Sequence, residues 1–214
     1  MDRASATLGG MDPRATPRDT VFAVLLAATC GIADAVGYVS SGIFAANMTG
    51  NTVLVGLALA GQDWLLAGER ALTLVTFFAG AMLGRRLAAK ARPWAPLLVE
   101  AVLVGLAALP WPGVMAPLWI VALAMGVQAS AFTGFRGVAV STIVITSSIA
   151  HLAEDAQDRL RGSPPPASGG LLALIWVAYG AGAVLAGILL QAVRFPLAVP
   201  AAILLVLTAW SLRR

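Results

Sequence analysis

The sequence predicts an all-α, polytopic membrane helical bundle, and three observations carry that prediction. Of 214 residues, 59% are hydrophobic and 11% charged, with a mean hydropathy of +0.87, whereas a water-soluble domain carries about 25% charge. Eight apolar stretches follow one another, at about 20–40, 44–61, 70–89, 95–110, 117–134, 138–153, 170–193 and 196–212. The formal charge of +4 comes from 14 Lys+Arg against 10 Asp+Glu, with Lys90 the only lysine. Such a balance fits arginines that orient helices and argues against nucleic acid as a partner. Cys30 is the single cysteine, so an intramolecular disulfide and a thiolate metal cage are both excluded.

Residues 1–19 hold Pro13, Pro17 and three arginines with little to bury, which predicts a disordered arm on the cytoplasmic side. The run that follows imitates a secretory signal, with Ala33-Asp34-Ala35 at the place of a cleavage site. Because the apolar segment continues beyond it, the run is read as the first membrane helix. The second and sixth stretches are short and polar at their starts, so they are the ones that need not cross.

The positive-inside rule arbitrates between topologies. With eight spans and an internal N-terminus, Arg3, Arg14, Arg18, Arg70, Arg159, Arg161, Arg213 and Arg214 lie inside, and the other six basic residues outside. If stretches 44–61 and 138–153 enter and return on one side, Arg85, Arg86, Lys90, Arg92 and Arg136 move inside and Arg70 moves out. Only Arg70 and Arg194 then remain external, against twelve internal. The expected topology is therefore six crossings plus two short re-entrant helical segments, with both termini cytoplasmic; eight spans is the alternative. Trp111-Pro112-Gly113 makes an external turn, and the Pro/Ser/Gly run at 162–170 an internal linker. Trp64, Trp94, Trp111, Trp119 and Trp210 fall near predicted ends, as interfacial anchors do.

The two halves, 20–110 and 117–212, resemble each other, leaving a cytoplasmic tail at 213–214. Residues 76–84 match 178–186 at an offset of 102, Met48-Thr49-Gly50-Asn51 matches Ile145-Thr146-Ser147-Ser148 at 97, and Gly31-Ile32-Ala33 faces Gly126-Val127-Gln128. Three crossings per half invert the second relative to the first, giving an inverted 3+3 repeat, an architecture that builds central pathways in transporters. Gly80, Gly84, Gly180, Gly182 and Gly187 have the spacing of close helix contacts, within one chain or in a homo-oligomer.

The polar stretch from Gly37 to Thr52 interrupts an apolar region, and non-helical backbone at membrane depth survives only against protein or a water-lined cavity. Thr49, Gly50 and Asn51 fall at the start of a short helix, whose free N–H groups attract an anion or a carbonyl oxygen. Asp34, Asn47, Thr49, Gly50 and Asn51 are thus expected to line a midplane solute site, with Gln128, Thr142 and Thr146 opposite. The bland alternative is that these groups cap helices and permit close packing. Asp34, inside the first helix, is read either as a hydrogen-bonding strut or as a proton-coupling residue, with Arg136, as an ion pair, and Gln128 as its expected partners. Glu100 is expected to snorkel or to pair with Arg85 or Arg86. His151, the only histidine, sits near Glu154 and Asp155 and is read as a solvated helix end rather than a metal ligand.

The runs Gly31-Ile32-Ala33-Asp34-Ala35-Val36-Gly37-Tyr38 and Gly42-Ile43-Phe44-Ala45-Ala46-Asn47-Met48-Thr49-Gly50-Asn51-Thr52 resemble the signature of the YoaK family of bacterial integral membrane proteins, the DUF1275 group. The likeness continues through Phe78-Ala79-Gly80-Ala81 and Met125-Gly126-Val127-Gln128-Ala129. Where the family's second half shows a Thr-Gly pair, this chain has Thr146-Ser147. The resemblance implies a bacterial inner-membrane protein and supplies no substrate.

The leading functional expectation is a small-solute transporter or channel, with the lipid bilayer and a small molecule as partners and no cofactor or metal. A membrane scaffold or partner-binding subunit is the alternative. An intramembrane enzyme is not expected, because the chain has neither a His-Glu-x-x-His zinc motif nor a Gly-x-Ser-x-Gly elbow.

Overall fold

A computed structural model describes residues 17–90, 92, 94–111, 115–135, 138–139, 145–162 and 169–213. Among them eight helices carry the fold: α1 (Pro17–Ser41), α2 (Met48–Ala60), α3 (Trp64–Ala88), α4 (Trp94–Ala107), α5 (Ala116–Ala131), α6 (Ile145–Leu160), α7 (Gly169–Ala192) and α8 (Ala198–Leu212). One helix falls on each apolar stretch. Two-residue strands, β1 (Gly134–Phe135) and β2 (Val138–Ala139), pair antiparallel before α6.

Local chemistry sets the helix ends. Proline supplies the first residue of α1 and lies in the first turns of α4, α5 and α8 as Pro96, Pro117 and Pro200, where its missing N–H costs nothing and its fixed φ suits a helix. The helix therefore starts at Pro17, inside the stretch expected as a disordered arm; residues 1–16 lie outside the described residues. Gly42, at φ +67°, turns the chain out of α1. Asn47 caps α2 by accepting from the Gly50 N–H at 3.0 Å, and Asp63 caps α3 by accepting from the Leu66 N–H at 3.0 Å.

α1, α3 and α7, at 25, 25 and 24 residues, are long and apolar enough to cross a membrane. α2, α4, α5 and α8 are apolar but shorter, at 13, 14, 16 and 15 residues. α6 departs from the expected apolar segment at 138–153. Its helix starts only at Ile145 and runs on through Glu154, Asp155, Asp158 and Arg159, because the sequence past His151 is made largely of charged residues, Ala, Leu and Gln that favour a helix in water. His151 and Glu154, both exposed, meet at 3.0 Å, the solvated arrangement their spacing predicts.

Packing pairs α1 with α7 and α3 with α5, while α4 lies against α5 and α8, α2 against α3, and α6 against α7. Glycine makes the two main seams. A Cβ on Gly31 would fall on the Tyr179 carbonyl and against the Ala183 nitrogen; one on Gly126 would fall on the Phe77 carbonyl and against the Ala81 nitrogen. Likewise Gly182 abuts the Ala28 carbonyl and Gly80 the Leu123 carbonyl. Gly80 opposite Leu123 and Gly84 opposite Val127 rise in register together, so α3 and α5 run in the same direction. Gly180 and Gly187 meet nothing within 4 Å and take no part in a seam. α1 is the central helix, with 67% of its most apolar window inside the protein against 17% for α3.

The beginning of α1 and the end of α8 are fastened together. The Arg18 guanidinium donates to the Trp210 carbonyl and lies 4.6 Å from the Trp210 ring centroid, and Phe22 packs on the same ring at 5.2 Å. A cation at the carbonyl end of α8 is also favoured by the helix dipole.

Candidate functional site

The site begins with Asp34, 3% exposed on α1. Its Oδ1 accepts from the backbone N–H groups of Ala46 at 2.6 Å and Asn47 at 3.2 Å, and its Oδ2 accepts from the Tyr179 hydroxyl at 2.6 Å. One carboxylate thus ties together α1, the turn before α2, and α7. Two N–H groups fix Oδ1 as an acceptor, so the Oδ2–Tyr179 bond is the only one of the three that could reverse its direction.

The turn is braced from its other end by Asn51, which is fully buried. Its side-chain amide donates to the Phe44 carbonyl at 2.7 Å and accepts from the Phe44 N–H at 2.9 Å. A primary amide used in this way replaces a neighbouring peptide, so both backbone groups of Phe44 stay paired inside the irregular segment between Gly42 and Met48. Phe44 stacks on Tyr38, with centroids 4.6 Å apart. The Gly50 position lies against both Phe44 and Asn47, and a Cβ there would sit 3.0 Å from the Phe44 ring.

Beside this turn is a pocket of about 200 Å³. Gly37, Ser40 and Ser41 of α1 form one wall, Ala45 a second, and Leu118 of α5 with Leu197 closes it. The Ser41 hydroxyl donates to the Gly37 carbonyl at 2.6 Å. Ala45 lines the pocket while the adjacent Ala46 N–H is held by Asp34, so the carboxylate positions a pocket wall from behind. The volume is of the order of a cavity that admits benzene, roughly 150 Å³.

The structure brings together Asp34, Asn47, Gly50 and Asn51. Thr49 is exposed on the outer side of α2. Gln128 is buried but donates to the Leu26 carbonyl at 3.2 Å, eight residues before Asp34 on α1 and so roughly 12 Å away along the helix axis. Arg136 and Thr142 lie outside the described residues, as does the Thr146 side chain. Sequence reasoning missed Tyr179, although it is the only tyrosine besides Tyr38 and stands in the aligned Ala/Gly-rich segment opposite Phe77. The pocket-lining Ser40 and Ser41 fall inside the polar run from Gly37 to Thr52.

Glu100 differs from expectation. It is 0% exposed on the inward stripe of α4 with Leu97, Ala101 and Val104, and neither oxygen has a hydrogen-bond partner among the described residues. It neither snorkels nor pairs with Arg85 or Arg86, which are exposed at the end of α3. The cause is helical phase: position 100 follows 97 and precedes 104, both core positions, so its side chain points inward.

A family model described as "Protein of unknown function (DUF1275)" matches residues 22–210. The chain is 31% identical over 156 residues to UPF0700 transmembrane protein YoaK of Bacillus subtilis (strain 168), covering 67% of this chain and 69% of that protein. No solved structure matches. With Asp34, Asn47 and Asn51 of the signature joined at one corner and the match running through all eight helices, this membrane protein belongs to the DUF1275 family.

Proposed function

We propose that the protein moves a small solute across the bacterial inner membrane, and that the pocket between α1, α5 and the Asp34-held turn is where the solute enters. The pocket carries the reading: it joins two hydroxyl-bearing residues, Ser40 and Ser41, to apolar walls at one end of the central helix. Small-molecule sites commonly have this mixture of apolar lining with a few convergent polar groups. The partners in this reading are the bilayer and a solute without strong charge, and the protein works without cofactor, metal or catalytic chemistry.

Six crossings, by α1, α3, α4, α5, α7 and α8, with α2 and α6 returning to the side they leave, form the topology of this proposal. Thirteen residues of α2 reach about 20 Å and the fourteen of α4 about 21 Å, so length does not separate them, and the arginine distribution is what assigns the crossing to α4. The common direction of α3 and α5 is what a single return crossing by α4 requires. The shorter α4, α5 and α8 match the bilayer by local thinning and by their flanking residues. The Arg18–Trp210 contact agrees with both termini on one side, which the arginine distribution makes cytoplasmic.

The contacts also support an inverted repeat. Gly31 and Gly126, 95 residues apart, meet residue pairs 179/183 and 77/81 that are 102 apart, the offset of the aligned helices. α2 and α6 start at Met48 and Ile145, the residues aligned at 97. Each half thus gives its first helix to the third helix of the other, the interlocking on which a rocking pathway is built.

Uptake by proteoliposomes tests transport directly. Ser41→Trp, which fills the pocket, is expected to abolish uptake of any solute the wild type carries while leaving the unfolding midpoint near wild type. Unchanged uptake would favour the scaffold reading, for which the fully engaged side chains of Asp34 and Asn51 speak. Cysteines at 63, 90, 112 and 165 are expected to label from outside, inside, outside and inside in turn; periplasmic labelling at 90 overturns the six-crossing topology.

A further inference from the structure

Glu100 serves neither the turn nor the pocket. It is the seventh residue of fourteen in α4, is 0% exposed, and has two oxygens without a partner among the described residues. Packing does not explain a carboxyl at this position. Pro96 and Pro200 are each the third residue of their helix, and this register, an offset of 104, sets Glu100 of α4 against Leu204 of α8. Leu204 is also 0% exposed, so the equivalent place in the core is filled by a hydrocarbon side chain. A carboxyl kept in the membrane interior where leucine suffices is costly, which marks it for a role other than filling space.

The groups around it are few. α5 and α8, which pack on α4, carry no ionisable side chain. α3 contributes Arg85 and Arg86, exposed at its end, and Glu69 and Arg70 near its start, where Arg70 donates to the Leu54 carbonyl at 2.7 Å. On α1, Cys30 is fully buried. The Thr29 hydroxyl, also fully buried, has no partner among the described residues.

We infer that Glu100 is a proton-exchanging site in the interior of the bundle: its carboxyl takes one proton and later returns it to solvent, while Asp34 remains a fixed positioning residue. The division follows from hydrogen bonding. Asp34 has three donors locking it in place; Glu100 has none among the described residues, so gain and loss of a proton there break no bond to them. That this exchange drives solute movement rests on the transport reading above; the exchange itself does not.

Dicyclohexylcarbodiimide, an apolar reagent that adds to protonated carboxyls buried in membranes, separates the two. The carboxyl oxygen bonds to the carbodiimide carbon, the acid proton passes to nitrogen, and rearrangement leaves a stable N-acylurea with no atom lost. Mass mapping of the full-length protein in liposomes should place the adduct on Glu100. Labelling should fall at least tenfold from pH 5 to pH 9, vanish in Glu100→Gln and persist in Asp34→Asn. Glu100→Leu, matching Leu204, should fold with an unfolding midpoint at or above wild type and stay unlabelled, so loss of labelling cannot be ascribed to misfolding. An adduct on Asp34 alone, or a rate on Glu100 independent of pH, overturns the inference. Where a solute is carried, Glu100→Gln should lose its response to a pH gradient; an unchanged response overturns the coupling but not the exchange.

Discussion

Asp34→Ala removes the acceptor for three donors at once: the Ala46 N–H, the Asn47 N–H and the Tyr179 hydroxyl. An unsatisfied buried donor costs about 1–3 kcal/mol. The Ala46 bond is short and fully buried, whereas the Asn47 bond, at 3.2 Å and partly buried, lies at the weak end. A total of roughly 3–5 kcal/mol follows, more than a hundredfold in the folding equilibrium. Asp34→Asn keeps an oxygen for the two amides and loses the charged acceptor and the Tyr179 donor bond, for about 1–2 kcal/mol. Tyr179→Phe leaves only Oδ2 without its donor and should cost a similar amount, and the double variant Asp34→Asn/Tyr179→Phe should show a coupling of about 0.5–3 kcal/mol. Reversible denaturant unfolding in one detergent gives these differences, and hydrogen exchange at Ala46 and Asn47 shows whether the loss is local. The expected stability order is wild type, then the two conservative variants together, then Asp34→Ala. If Asp34→Ala unfolds within about 0.5 kcal/mol of wild type, or if the two amides exchange no faster, the carboxylate does not hold the turn.

The seam glycines and the open ones should respond with opposite sign. Gly80→Val, which drives a branched side chain into the Leu123 backbone, should destabilise by about 1–3 kcal/mol or more, whereas Gly180→Ala, at a helix position with no neighbour, should stabilise by roughly 0.5–1 kcal/mol; equal effects in thermal unfolding would remove the seam. Asn51→Ala should cost about 2–4 kcal/mol through the two Phe44 backbone groups it strands, and Asn51→Asp should recover little, since its second oxygen would face the Phe44 carbonyl; full rescue by aspartate in the same assay would refute the amide clasp. Arg18→Ala should lower stability by roughly 1–2 kcal/mol and increase proteolysis near residue 210, because it releases the carbonyl and ring of Trp210; an unchanged cleavage pattern would show the fastening to be idle.

Composition and local patterning set the membrane class, the approximate place of the helices, and the polar corner. Each follows from composition or from contacts within about twenty residues. Hydropathy fixes where a helix can lie in lipid, and a polar run between Gly42 and Met48 must find hydrogen bonds wherever the chain puts it; Asn47, Asn51 and Asp34 answer that demand from close by. The glycine seams were legible as spacing, but which of them close was not. Gly182 and Gly180 sit in the same Ala/Gly-rich helix, and only the rotation of α7 against α1 decides that one meets Ala28 and the other nothing. Tertiary structure alone also decided the partner of Asp34, since Tyr179 lies 145 residues away, and turned Glu100 inward through the phase of α4. α6 slipped past its expected bounds because a mixed apolar and charged run satisfies a helix on a surface as readily as a short dip into lipid. Periodicity and hydropathy describe each helix against its solvent, whereas the chemistry of this corner depends on which faces of distant helices meet, a relation set by packing and absent from any local window.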